Sequence, residues 1–323
     1  MSKFQQIFSD FNRLKVLIIG DVMLDSYIWG SVDRVSPEAP VPVINVKRRD
    51  FRLGGAGNVV VNVHALGATP LTVSLIGNDD AAAKLRSCFK KLSISEEGLV
   101  ASNARPTTEK TRVIARHQHV VRIDDETDRE ASPEEEKLVI ERIAAMLPKS
   151  DVVIFQDYDK GTITPKIISS TVDLARKKNI PTIVDPKRRN FLAYEKVTLF
   201  KPNLKELREG LKIDVDASRV EKAVEQLKSK LDAEGVMVTL SEHGVYIDFK
   251  TAKVKLPAHQ RDIADVSGAG DTVVAIAACC VALGLEPKLV AGLSNLGGGL
   301  VCQHVGVVPI DKEELLREAN DLL

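Results

Sequence analysis

Apolar runs broken by polar turns divide the chain into alternating helix-like and strand-like stretches. Phe4, Ile7, Phe8 and Phe11 recur at helical spacing, which predicts a short amphipathic helix over residues 4–13. Lys15-Val16-Leu17-Ile18-Ile19-Gly20-Asp21 then reads as a buried strand ending in a polar turn, the usual opening of an α/β sheet. From residue 132 the alternation is regular. Ser132, Pro133 and Glu135 supply an N-cap, a first-turn proline and a capping-box carboxylate for a helix to about Leu147. Strands near 151–155, 181–184, 197–200 and 236–240 alternate with helices opening at Thr164-Pro165, near 203–210 and near 217–232. This pattern predicts an α/β fold, a doubly wound, mostly parallel sheet with helices on both faces.

Two stretches break the pattern. Residues 26–50 alternate in short segments and carry Pro37, Pro40 and Pro42, which suits antiparallel strands outside the main sheet. Residues 111–116 and 119–124 alternate apolar with basic positions, predicting a hairpin with one packed and one cationic face. Together they would form a small lid on one α/β core. No linker, repeat or low-complexity segment divides residues 1–323 into further domains.

Polar residues gather where strands end: Asp21, Asp157, Asp185, Asn203 and Thr239, with Asp25 close behind. In doubly wound sheets that edge carries the ligand site. The most informative stretch is Asp265-Val266-Ser267-Gly268-Ala269-Gly270-Asp271-Thr272, followed by the apolar run Val273-Val274-Ala275-Ile276-Ala277-Ala278. Two glycines in three residues let backbone approach a ligand, and a helix starting near Ala269 would aim free N–H groups at it. That is an anion site. Asp271, in the first turn, could take a proton from an alcohol attacking a bound phosphate. The second glycine run, Gly54-Gly55-Ala56-Gly57-Asn58, fails the dinucleotide fingerprint, because Val60 stands where its last glycine would be. Backbone contact with a small polar ligand, assisted by Asn58, is the better reading.

Charge narrows the partners. Lys+Arg and Asp+Glu both number 45, so a net charge of zero offers no general attraction to nucleic acid or to an acidic membrane surface. The four cysteines have no metal-ligand spacing and predict a reduced, cytoplasmic protein. The first fifteen residues lack the apolar run of a signal peptide, and no stretch is long enough for a membrane span.

Three signatures together, Gly54-Gly55-Ala56-Gly57-Asn58, Asn203-Leu204-Lys205-Glu206 and Asp265-Val266-Ser267-Gly268-Ala269-Gly270-Asp271, resemble the PfkB/ribokinase family of carbohydrate kinases over essentially the whole chain. Ser36-Pro37-Glu38-Ala39-Pro40-Val41-Pro42, Asp157-Tyr158 with Lys160-Gly161, and Asp185-Pro186-Lys187 are similar to the branch acting on D-glycero-β-D-manno-heptose 7-phosphate in ADP-heptose synthesis. The resemblance implies a ribokinase-like fold and ATP- and Mg²⁺-dependent phosphorylation of the heptose anomeric hydroxyl, a step towards lipopolysaccharide core. It leaves room for a monovalent cation. It implies Asp271 as base, with Gly268, Ala269 and Gly270 as anion hole, and Asn203 and Glu206 organising Mg²⁺ and phosphates, Glu206 indirectly. Asp25, Gly54, Gly55 and Asn58 match sugar-contacting positions, and Asp157 joins the substrate set. Thr239, Ser241, Gly244 and Asn295 match nucleotide contacts, although Ser241 stands where many members have glycine. A phosphorylated substrate needs cations; Arg112, Arg122 and Lys160 are favoured over Arg116 and Lys187. Relatives imply a homodimer through the lid. The bifunctional relatives also carry an adenylyltransferase domain; with no H-x-G-H here, adenylyl transfer is not expected of these residues and would fall to a separate partner. The rival readings are a kinase of the same family acting on ribose, fructose phosphate or a nucleoside, and a non-catalytic sugar- or nucleotide-binding protein.

Overall fold

The structure is a computed structural model that describes residues 2–116 and 118–323. Helix α1 (Lys3–Phe11) opens with a Ser2–Gln5 capping box and buries the four residues that its spacing singles out. Strand β1 (Lys15–Gly20) leads without a loop into β2 (Val22–Val35), which turns back as β3 (Pro42–Gly55) and enters α2 (Ala56–Ala65). Then follow β4 (Thr69–Gly77), α3 (Asp80–Lys91), β5 (Leu99–Ser102), β6 (Glu109–Ala115) and β7 (Gln118–Asp125). The alternating half contains α4 (Pro133–Met146), β8 (Val152–Gln156), α5 (Pro165–Lys177), β9 (Thr182–Asp185), β10 (Leu199–Phe200), α6 (Leu204–Leu211), α7 (Val220–Leu231) and β11 (Gly235–Thr239). The chain finishes with β12 (Val245–Phe249), β13 (Ala252–Leu256), α8 (Ala269–Ala282), α9 (Pro287–Val301) and α10 (Lys312–Leu322).

The main sheet runs β13-β12-β11-β10-β9-β8-β1-β4-β5. Every pairing from β5 to β11 is parallel; β12 alone runs against its neighbours. Side chains alternate across a strand, so β1 feeds two cores. Val16 and Ile18 pack with α1, α2, α8 and α9, while Leu17 and Ile19 pack with α4, α5 and α7. Burial on both faces explains why these strands read as unbroken apolar runs.

The second sheet is the lid, ordered β3-β2-β6-β7. Strand β2 pairs antiparallel with β3 and parallel with β6. One expectation needs correction. Strand β6 buries Val113, Ile114 and Ala115, but every residue of β7 is exposed, so the hairpin has no continuous packed face. The reason is position: β7 is the edge strand of the lid, paired on one side with β6.

Candidate active site

Helix α8 begins beyond the carboxyl ends of the parallel strands. Gly268 is its N-cap at φ 83°, in the left-handed region, and a Cβ there would lie 2.9 Å from Val307. The Ala269 N–H bonds to Val266 (3.3 Å) and that of Thr272 to Gly268 (3.0 Å), leaving those of Gly270 and Asp271 without an acceptor among the described residues. The space before them is open, since a Cβ on Gly270 would meet only Asp185 Oδ2, at 3.9 Å. Free donors, a helix N-terminus and room in front make an anion cradle.

Asp271 sits in this first turn, 6 % exposed. Its Oδ1 accepts from the Tyr158 hydroxyl (2.7 Å) and the Gln156 amide (3.2 Å); its Oδ2 accepts from the Asn58 amide (3.1 Å). Burial pushes its carboxyl up to about 6, with the nearby Asp185 charge adding to it, against the pull of Tyr158, Asn58 and Lys201. A carboxylate tuned this way is charged at neutral pH yet basic enough to accept a proton.

The strand ends supply the surroundings. The buried pair Lys201 Nζ–Asp185 Oδ1 is 3.1 Å apart, and Gln156 donates to Asp185 Oδ2 at 3.1 Å. Lys187 Nζ lies 2.5 Å from Glu206 Oε1 and 5.6 Å from the Tyr158 ring centroid. Burial opposes the Lys187 charge, but Asp185, Glu206 and Asp271 outweigh it and raise its pKa. Asn203 and Glu206 form a reciprocal capping box at the start of α6 (2.8 and 2.9 Å), which is the physical content of their N-x-x-E spacing. Thr239 bridges to Asn203 at the next strand end. Ser241 has φ 54°, in the left-handed region that favours glycine. Gly244 is at φ 85°, with the Leu256 carbonyl 2.1 Å from where a Cβ would stand. Asn295 donates to the Pro257 carbonyl at 2.8 Å, tying α9 to the loop after β13.

On the lid side, Asp25 accepts from Arg112 at 2.5 Å, and Arg112 also lies over the Tyr27 ring. Gly54 makes room for this carboxylate: a Cβ there would be 2.4 Å from Asp25 Oδ2. Gly55, at φ 57°, faces the Asp21 carbonyl equally closely and starts α2. Arg122 stands opposite Arg112 in register, exposed and paired with Asp124 at 2.9 Å. Lys160 is paired with Glu126 at 2.6 Å.

The structure thus brings Asn58, Asn203, Glu206, Gly268, Ala269, Gly270 and Asp271 together at one edge, with Asp25, Gly54 and Gly55 on the lid above. Asp157 is different. It is 1 % exposed and accepts from Asn190, Tyr194 and the Asp159 N–H, so it anchors its loop instead of lining the cleft. Asp21 likewise serves backbone, accepting from the N–H groups of Tyr158, Lys160 and Thr162. Asn58 faces the base. Gln156 and Lys201 escape a reading by motif, and Tyr158 and Asp185 enter it only as parts of longer signatures without a role; the signal for the first two is a polar residue ending an apolar strand.

The family model described as "pfkB family carbohydrate kinase" matches residues 13–313. "Bifunctional protein HldE" of Aliarcobacter butzleri is 37% identical over 95% of this chain and 64% of its own length. The proteins of that name from Pelobacter propionicus and Granulibacter bethesdensis are 38% and 39% identical over 97% of this chain, covering 65% and 66% of theirs. The chain therefore spans somewhat under two thirds of the length of these relatives. Phosphofructokinase-2 from Escherichia coli superposes with a TM-score of 0.75 at 17% identity, covering 95% of this chain and 99% of that one. Arabidopsis thaliana ribokinase does so at 0.71 and 16%, covering 94% and 99%, which establishes a ribokinase-like fold. With a glycine-bounded helix start, a buried carboxylate in its first turn and a family match over nearly its full length, the chain belongs to the pfkB family of carbohydrate kinases.

Proposed function

We propose that this chain transfers the γ-phosphoryl group of ATP to the anomeric hydroxyl of D-glycero-β-D-manno-heptose 7-phosphate. The observation that carries the substrate is its 37–39% identity to HldE proteins over 95–97% of its length, lid included. In this reading Asp271 accepts the proton of the attacking hydroxyl, and the N–H groups of Gly270 and Asp271 receive charge developing on the phosphoryl group. Lys187 and Lys201 supply nearby positive charge. Thr239, Ser241, Gly244 and Asn295 border the nucleotide.

Magnesium fits the donor set. Asn203 and Glu206, side by side at the start of α6, offer hard oxygen donors, which suits an ion held chiefly by nucleotide phosphates. Glu206 would help hold the ion indirectly, and bound Mg²⁺ would neutralise phosphate charge. Arg112, Arg122 and Lys160 would exchange their present carboxylate partners for the substrate's 7-phosphate. The exposed β7, with Val121 and Ile123, suits the lid-to-lid homodimer. No helix among the described residues is long and apolar enough to cross a membrane, and a reaction that consumes ATP belongs in the cytoplasm.

The test is ATP consumption with heptose 7-phosphate, ribose and fructose 6-phosphate under Mg²⁺. A kcat/KM for heptose 7-phosphate well above the others is expected. Preference for ribose or fructose 6-phosphate overturns the substrate; silence on every sugar favours a binding protein.

A further inference from the structure

The Asp271 carboxylate is bound unevenly. Among the described residues Oδ1 takes two donors, the Tyr158 hydroxyl at 2.7 Å and the Gln156 amide at 3.2 Å, whereas Oδ2 takes one, the Asn58 amide at 3.1 Å. A carboxylate oxygen has two lone-pair directions. Oδ1 is therefore filled, and Oδ2 keeps one direction free. The shortest of the three bonds comes from a side chain that is itself clamped. Lys187 lies 5.6 Å from the Tyr158 ring centroid while bonded to Glu206, and the Tyr158 N–H bonds to Asp21 at 3.0 Å.

We propose that Tyr158 is a positioning residue for the base: its hydroxyl holds Oδ1 of Asp271 so that Oδ2 faces the substrate and takes the proton. This rests on Asp271 being the base. The step balances simply. The substrate O–H bond breaks as its oxygen bonds to phosphorus, the proton passes to Oδ2, and the electron pair of the breaking phosphorus–oxygen bond leaves with the nucleotide. Tyr158 neither gains nor loses a proton; its own pKa is raised well above the usual phenol value by burial and by Asp271. The clamp also joins the base to the N-x-x-E element through the chain Asp271–Tyr158–Lys187–Glu206.

A donor to the charged carboxylate favours ionisation, so the arrangement has a signature that mere packing lacks. The groups around Asp271 are Gln156, which ends β8, and Tyr158 after it; Asp185, which ends β9, and Lys187 after it; Lys201 beyond β10; and Asn58 on α2, with Glu206 on α6 paired to Lys187. In Tyr158→Phe only the hydroxyl changes. The acid limb of the pH–rate profile, expected near about 6 in the unaltered protein, should move up by roughly one unit. The rate on the alkaline plateau should fall far less. An unmoved limb with a uniformly lower rate overturns the proposal.

A readout without sugar separates this from the assignment of substrate. Infrared titration of the Asp271 carboxyl, with Asp271→Asn as blank, should show the same upward move in Tyr158→Phe. A moved band and limb with turnover of a different sugar would sink the substrate and keep the positioning role; turnover with neither band nor limb moved would sink the role alone. If Tyr158→Phe does not fold, 3-fluorotyrosine at position 158 decides. Its more acidic hydroxyl is a stronger donor and should move the band and limb downward; no movement overturns the proposal.

Discussion

The side-chain amide of Asn58 donates to Oδ2 of Asp271 at 3.1 Å, joining residues 213 positions apart. One ends the glycine run that starts α2; the other stands in the glycine-bounded first turn of α8. The two glycine motifs are thus halves of one device, and α2 packs against α8 to hold it together. A hydrogen bond to a charged group contributes about 1.5–3 kcal/mol. Asn58→Ala should therefore lower kcat/KM by roughly 10- to 100-fold, measured by steady-state ATP consumption, with the fold intact by circular dichroism.

Asp271→Asn should lower the rate by about 10²–10⁴ and also raise stability at alkaline pH. The folded protein holds the Asp271 proton to about 6, against an ordinary value of 3.8. The folded state therefore binds more protons than the unfolded chain between these values. Its stabilising effect is complete below about pH 4 and is lost as pH rises through 6. Above that, the buried charge costs on the order of 1–3 kcal/mol, which Asn removes. Thermal melting at pH 8 should favour the variant, and the advantage should vanish near pH 4.

Gly270→Ala separates stability from activity. The added methyl meets nothing nearer than Asp185 Oδ2 at 3.9 Å, so melting should barely change. It would occupy the space before the free N–H groups, and turnover should fall by about 10²-fold or more. Gly54→Ala should act differently. Its methyl would stand 2.4 Å from Asp25 Oδ2 and displace that carboxylate, so the sugar KM should rise more than the ATP KM.

Asp157 offers the opposite test, because its contacts are structural. Tyr194→Phe removes the 2.8 Å donor to its Oδ2 and should destabilise the protein by about 1–3 kcal/mol in urea unfolding. The sugar KM should stay unchanged. A raised KM with unaltered stability would return Asp157 to the substrate set.

Ser241→Gly relieves a residue held at φ 54°. A gain of about 0.5–1 kcal/mol is expected, read as a higher melting temperature, since glycine has no Cβ to meet the carbonyl in this conformation.

Much of this fold is written locally. The continuous apolar run of β1, the Ser132–Glu135 capping box and the N-x-x-E cap of α6 each depend on neighbours within a few residues, so spacing alone declares them. Spacing also marks Gly268, Gly270 and Asp271, because a helix start with small residues before it is a local anion site. Other parts are silent in the sequence. Asp21, Asp157 and Asp185 look alike as acids closing apolar strands. Only packing decides that Asp157 turns inward to Asn190 and Tyr194, that Asp21 ties down a backbone loop, and that Asp185 pairs with Lys201 beside the base. The expected cationic face of the lid hairpin became paired charges, because Asp25 on the neighbouring strand reaches Arg112 and Asp124 on the same strand reaches Arg122. Periodicity and caps along the chain were enough to mark α1, β1, the alternating elements from α4 to β11 and the anion loop. Which polar side chain faces the base depends on long-range packing, since hydrogen bonds between residues a hundred or more positions apart leave no periodic trace in the chain.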